Sequence, residues 1–325
     1  MFFMRFAMRA ATDDPQVRAE QYGALLEMAA WAEGHGCLSA VVSEHHASED
    51  GYLPSPVPVA AAMAARTTTL PISVGALILP FYEPVKLAED LAVVDLLSRG
   101  RVTYIIGVGY RPEELAMFGV EPSGRGDLVE ERIGFLRRAW SGEPVELDGR
   151  RVLVRPRPFT PGGPPLLYGG RTAAAARRAG RLGLFFVAEK SRPELEELYR
   201  EAAAAAGIEA PGCAFPSEDL PTTMFVADDP DRAWAEIGQY LLVDAVGYGR
   251  WFVGRELSAS VSRATTVAEL KAERGPYQIL TPDEAAGYVT AGRPLALQPL
   301  AGGIPPDLAW PYLEAAAAVA GGRPA

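Results

Sequence analysis

Short apolar runs alternate with longer stretches of helical spacing along most of the chain. Residues 2–8 are apolar apart from Arg5, as a buried first strand requires. Asp13-Asp14-Pro15 then offers a carboxylate for an N-cap and a proline for the first helical position. Tyr22, Leu25, Leu26, Ala29 and Ala30 follow at helical spacing until Gly34-His35-Gly36 stops the pattern. A second apolar run, 38–42, completes a strand, helix, strand crossover, which implies parallel strands. The unit repeats as helix 55–66, strand 72–79, helix 84–97, strand 101–108 and helix 111–118, then a Pro/Gly/Arg segment at 121–126 and helix 127–140. Residues 145–154, centred on Asp148-Gly149, predict a β-hairpin. The rhythm resumes with strand 164–168, Gly169-Gly170, helix 172–181, strand 184–187, helix 192–206, strand 222–226 and helix 230–241. Residues 243–276 carry no clear period and are expected to form an insertion over one end of the fold; strand 295–300 and helix 306–319 follow. Eight strands in this order favour an α/β fold of the (β/α)8 TIM barrel type, one domain over 1–325, against an open doubly wound sheet.

Composition narrows the function classes. Of 325 residues, 49% are hydrophobic and 22% charged, the profile of a globular protein. The net charge of −10, with no Lys/Arg block interleaved with aromatics, argues against a nucleic-acid partner. No apolar run approaches the length of a bilayer span, so no membrane partner is expected. Cys37 and Cys213 are too few for a disulfide framework, and residues 1–9 read as a strand rather than a secretory signal, so the expected location is cytoplasmic.

Chemistry concentrates at Glu44-His45-His46. Only three histidines occur, His35, His45 and His46, and two of them stand together where the second strand ends. In a (β/α)8 barrel the active site collects at the C-terminal ends of the strands, so location and residue type agree on a proton-handling role. The plainer reading, histidines bonded to loop backbone, suits a lone histidine better than this triplet. A metal centre is disfavoured because adjacent side chains on an extended segment point to opposite faces and no HxH or HExxH spacing occurs. A second feature is Gly169-Gly170-Arg171-Thr172 leading into an alanine-rich helix. Glycines let a ligand approach, the helix start offers N–H groups to a phosphate, and Arg171 adds a charged fork; the alternative is an ordinary turn with Arg171 solvated. Gly107-Val108-Gly109-Tyr110-Arg111-Pro112 is not a dinucleotide fingerprint, since Pro112 breaks the spacing, and its glycines are read as leaving room for a flat ligand.

Glu44-His45-His46, Leu79-Pro80 followed by Glu83-Pro84-Val85, Ala88-Glu89-Asp90, Asp95-Leu96-Leu97-Ser98-Arg99-Gly100-Arg101 and Phe118-Gly119 stand in this order within about the first 190 residues. Together they resemble the bacterial luciferase-like family of flavin-dependent (β/α)8 enzymes. The resemblance implies a monooxygenase that uses reduced FMN, delivered by a separate flavin reductase, and O2 to oxygenate a small organic substrate. It implies His45 as the catalytic acid/base and a non-prolyl cis peptide at Gly75-Ala76. The residues expected around the cofactor are Glu44, Gly75, Ala76, Gly107, Gly109, Gly169, Gly170, Arg171 and Thr172. The match departs from the family's luciferase α subunits at the phosphate: their arginine after the fourth strand corresponds to Val108, and a Ser/Thr pair survives as Thr172 with Ala175. The family also implies a homodimer through helices 55–66 and 84–97. Related branches transfer hydride with F420, which is the alternative cofactor, and a non-catalytic flavin-binding protein is the third reading. Substrate identity would lie in loops such as 47–54 and 243–276.

Overall fold

The computed structural model describes residues 1–217, 220–252 and 260–321. The chain divides into two compact units: Met1–Pro54 with Thr69–Pro71 and Ser217–Ala325, and Ser55–Thr68 with Ile72–Pro216. The strands of the main sheet, ten among the described residues, pair in parallel within each unit.

The first unit opens with β1 (Phe2–Phe6), α1 (Pro15–Glu33) and β2 (Cys37–Val42). β1 stops short of the predicted residue 8 because the backbone turns to positive φ at Met8 (60°). The Asp14 carboxylate accepts from the Gln16 and Val17 amides and so caps α1 as predicted. Gln21, Ala24, Leu25, Met28, Ala29 and Ala32 make the helix's buried stripe.

The second unit contains α2 (Pro56–Arg66), β3 (Ile72–Ile78), α3 (Pro84–Ser98), β4 (Val102–Gly107), α4 (Pro112–Met117) and α5 (Arg125–Ala139). It continues through β5 (Val145–Leu147), β6 (Arg150–Val152), β7 (Leu166–Gly170), α6 (Ala173–Arg181), β8 (Phe186–Ala188), α7 (Pro193–Ala205) and β9 (Cys213–Ala214). Its strand order is β3, β4, β7, β8, β9. β5 and β6 form the predicted hairpin, with Asp148 and Gly149 at φ 49° and 71°, both positive as a tight two-residue turn needs. Asp95 of α3 is fully buried, and its carboxylate accepts from the Thr160 amide (2.7 Å) and hydroxyl (3.1 Å), tying a long loop down.

The chain then returns to the first unit with β10 (Thr223–Val226), α8 (Pro230–Trp251), α9 (Val267–Glu273), β11 (Tyr277–Leu280), α10 (Pro282–Thr290), β12 (Leu295–Leu297) and α11 (Pro306–Val319). Strand order here is β11, β10, β12, β1, β2. Two strands, β9 and β11, go beyond the eight that periodicity predicts. Helix α8 runs ten residues past the predicted end at 241, taking in the first part of the stretch read as an insertion; residues 253–259 of that stretch lie outside the described residues.

Candidate active site

β2 delivers Val42 fully buried, and the chain leaves the strand through Ser43 into Glu44, His45 and His46. The Glu44 side chain is buried and its Oε1 lies 2.8 Å from His46 Nε2. Backbone bonds hold this segment: the His45 amide donates to Leu53 O (3.1 Å), and the Leu53 amide to Ala7 O (2.9 Å). The two histidines diverge, as strand alternation predicts. His46 turns back to Glu44, while the His45 ring lies edge-on to Tyr52 (centroids 5.0 Å, 78°) and tilted against Trp251 (4.4 Å, 52°). His45, His46 and Tyr52 help line a cavity of about 310 Å3 with Arg18, Tyr22 and Ser48. Among the described residues no three His, Cys, Asp or Glu side chains converge for a metal ion.

Behind these rings lies a polar and aromatic cluster that hydrophobic periodicity missed. Arg9 is fully buried, pairs with Asp50, and has its Nε 3.5 Å from Asp244 Oδ1. The Tyr52 and Tyr248 hydroxyls lie 2.8 Å apart, and Tyr277 donates to Asp244 Oδ2 (2.7 Å). Burial first, then neighbouring Tyr248, pushes the Tyr52 hydroxyl well above the ordinary phenol range; burial and Asp244 do the same to Tyr277. Arg5 donates to Gln298 Oε1 (Nε, 3.1 Å) and Thr223 Oγ1 (Nη2, 3.2 Å). The one sequence signal for this cluster is the pair Arg5 and Arg9, charges inside and just after an apolar strand.

The remaining predicted residues belong to the second unit. The Gly75–Ala76 peptide is cis, where the family resemblance implies it. Gly107 lies at the end of β4, and Gly109 beyond it has φ +72°. Gly169 and Gly170 are the last residues of β7 rather than part of the turn after it. Their lack of a side chain serves packing: a Cβ would sit 2.9 Å from Ile105 Cγ2 at Gly169 and 2.5 Å from Ala175 Cβ at Gly170. Gly107 is likewise crowded by Ala76 Cβ and Ile78 Cδ1, each 3.1 Å from such a Cβ. At these positions the direction a side chain would take is filled by the protein's own side chains.

Thr172 precedes α6 as its N-cap, its hydroxyl accepting from the Ala175 amide (3.2 Å), while Ala176 donates to Thr172 O (3.0 Å). This leaves the first-turn amides of Ala173 and Ala174 directed out of the helix end. The Arg171 guanidinium carbon is 5.9 Å from the Tyr110 ring centroid. Glu189, which sequence reading missed, follows β8 with its amide on Gly170 O (3.1 Å). Glu189 has exposed surface, yet the protein around it raises its carboxyl pKa by desolvation, and Arg171 opposes that shift. A phosphate held here would draw its donors from the helix N-terminus and the Arg171 guanidinium, with the Glu189 carboxyl opposing added negative charge.

Comparison with known proteins points to one family. The profile of the family described as luciferase-like monooxygenase matches residues 1–285. A 4-hydroxyprotoasukamycin monooxygenase of Streptomyces nodosus subsp. asukaensis is 31% identical over 140 residues, 41% of this chain and 38% of that one. The chain thus matches less than half the length of that relative. An F420-dependent glucose-6-phosphate dehydrogenase of Mycobacterium tuberculosis is 30% identical over 244 residues, 67% of this chain and 72% of that one. Among solved structures, monooxygenase RslO1 from Streptomyces bottropensis superposes with a TM-score of 0.73 at 24% identity, covering 98% of both chains. The oxygenating constituent of 3,6-diketocamphane monooxygenase from Pseudomonas putida, solved with FMN, gives 0.68 at 21% identity over 97% of this chain and 96% of that one. At these identities the two structures speak for the fold alone, and that fold is the α/β barrel class read from the strand and helix order.

Proposed function

The chain belongs to the luciferase-like monooxygenase family and is an enzyme, and from that premise we propose that it is a flavin-dependent monooxygenase acting on a small organic substrate with reduced FMN and O2. The observation that carries this reading is the place of His45: at the end of β2, fixed between Tyr52 and Trp251, on the wall of a cavity of about 310 Å3. Its imidazole is the group that holds or moves a proton; the Glu44–His46 pair beside it ties the loop to the strand end. Arg171 and the Ala173 and Ala174 amides would hold the phosphate of FMN. Bound reduced flavin supplies the electrons for oxygen activation, and a separate reductase renews it. The exposed Val93, Leu96 and Leu97 of α3 support the homodimer contact that the family implies, which sedimentation of the purified protein reads as one chain or two.

His45→Ala tests the assignment. Turnover is expected to be abolished while flavin affinity, read by fluorescence, stays nearly unchanged. Unchanged turnover removes His45 from catalysis.

The F420 reading keeps the same residues and replaces oxygen chemistry with hydride transfer. It is favoured by the Mycobacterium tuberculosis dehydrogenase, which matches two thirds of this chain. Titration with reduced FMN and with F420 separates the two: micromolar F420 binding without FMN binding makes F420 the cofactor and hydride transfer the reaction.

A further inference from the structure

Arg9 lies three residues beyond β1, and its side chain has no solvent exposure. Its guanidinium carbon is 4.0 Å from the Trp251 ring centroid, 4.5 Å from Tyr248 and 4.9 Å from Tyr52. Asp50 and Asp244 balance its charge, so the rings are not needed to neutralise it. Among the described residues its Nη2 has no hydrogen-bond partner. Two of these three rings, Tyr52 and Trp251, also pack on His45.

Three separate segments therefore meet on one cation. Arg9 follows β1, Tyr52 belongs to the loop after β2, and Tyr248 and Trp251 end α8. The Asp50–Tyr52 part of that loop is already anchored near Arg9 by the Ala10 amide on Asp50 O (2.9 Å) and Arg18 Nη2 on the same oxygen (2.6 Å). Trp251 is the last residue of its helix. A planar cation facing Trp251 and Tyr52 draws both toward one fixed point.

We propose that Arg9 is a positioning residue for His45, clamping Trp251 and Tyr52 against its far side so that the imidazole is held in one orientation at the cavity wall. This rests on His45 being the proton-handling group. Lysine is a poor substitute on this account, because a compact ammonium can neither stack on flat rings nor reach two carboxylates in fork geometry.

The chain's three histidines make the test direct. In the full-length protein labelled at histidine, the His45 ring signal is identified by its loss in His45→Ala, and wild type is compared with Arg9→Lys, Trp251→Leu and the double variant. Arg9→Lys is expected to remove roughly half of the ring-current shift that the two neighbouring rings impose on His45 and to leave the His35 and His46 signals in place. Trp251→Leu is expected to remove most of it, and Arg9→Lys to add little in that background, since both act through one contact. An unchanged His45 signal in Arg9→Lys, or losses that simply add in the double variant, overturns the clamp. Should the lysine variant unfold, Arg9→Gln with Asp244→Asn removes the cation and one carboxylate together, and the same comparison applies. If His45→Ala leaves turnover intact, the functional reading fails on its own, while the ring signals still decide whether Arg9 holds the imidazole.

Discussion

Gly170→Ala puts the phosphate assignment under the sharpest strain. Gly170 ends β7, and an added Cβ would lie 2.5 Å from Ala175 Cβ, a buried methyl on the first turn of α6 that has no rotamer to move. Carbon atoms in contact settle near 3.5–4.0 Å, so the strand end and the helix start must separate by about 1 Å. Overpacking of this kind costs about 1–3 kcal/mol, seen as a Tm loss of a few degrees. The same displacement carries the Ala173 and Ala174 amides away from Arg171. A hydrogen bond to a charged group is worth about 1.5–3 kcal/mol, so losing one weakens cofactor binding roughly tenfold to a hundredfold.

Gly180→Ala supplies the control on the same helix. Its Cβ would meet Tyr199 O at 2.3 Å, forcing α6 from α7 at the end far from Thr172. Thermal melts and fluorescence titration with FMN and F420 then separate the two effects. Both variants are expected to melt lower, and only Gly170→Ala to lose affinity. Retained affinity in Gly170→Ala with a lowered Tm removes the phosphate from this loop; an unchanged Tm shows that the steric reasoning itself is wrong.

Two further outcomes follow from buried titratable groups. Burial pushes the Cys37 thiol up to about 12, with backbone hydrogen bonds at Ser39 and Met4 opposing the shift. Its thiolate fraction at pH 8 is then about 10⁻⁴, and a thiol reagent should label Cys213 first; equal labelling rates would contradict the burial of Cys37. Tyr52, Tyr104 and Tyr277 all have hydroxyls pushed upward by burial first, with Asp95 adding to the effect at Tyr104. A raised folded-state pKa contributes stability in full below the unfolded value near 10 and loses it as pH climbs toward the folded value. Their tyrosinate absorbance should therefore appear together with loss of circular dichroism, and a smooth titration of all twelve tyrosines around pH 10 in folded protein would count against it.

Helix starts were legible because their chemistry is local. Pro15, Pro84, Pro230 and Pro306 each open a helix, since proline has no N–H to lose there and its φ is already helical. Asp148-Gly149 announced the hairpin for an equally local reason. β11 was not legible: Tyr277-Gln278-Ile279-Leu280 is too short to show a period, and only pairing with β10 defines it. At the glycines of β7 a sequence shows that a side chain is missing but not what packs in its direction. His45 was found as an ionisable group at a strand end; the groups that fix it were not. Asp244, Tyr248 and Trp251 recur at helical spacing on α8 and converge on Arg9, but a face made of a carboxylate and two polar-edged rings does not register as an apolar stripe. Burying such a face is favourable only where a partner satisfies it, and here the partner comes from the other end of the chain. The break in hydrophobic period that hid α8's last turns therefore has the same physical origin as the support it gives to His45.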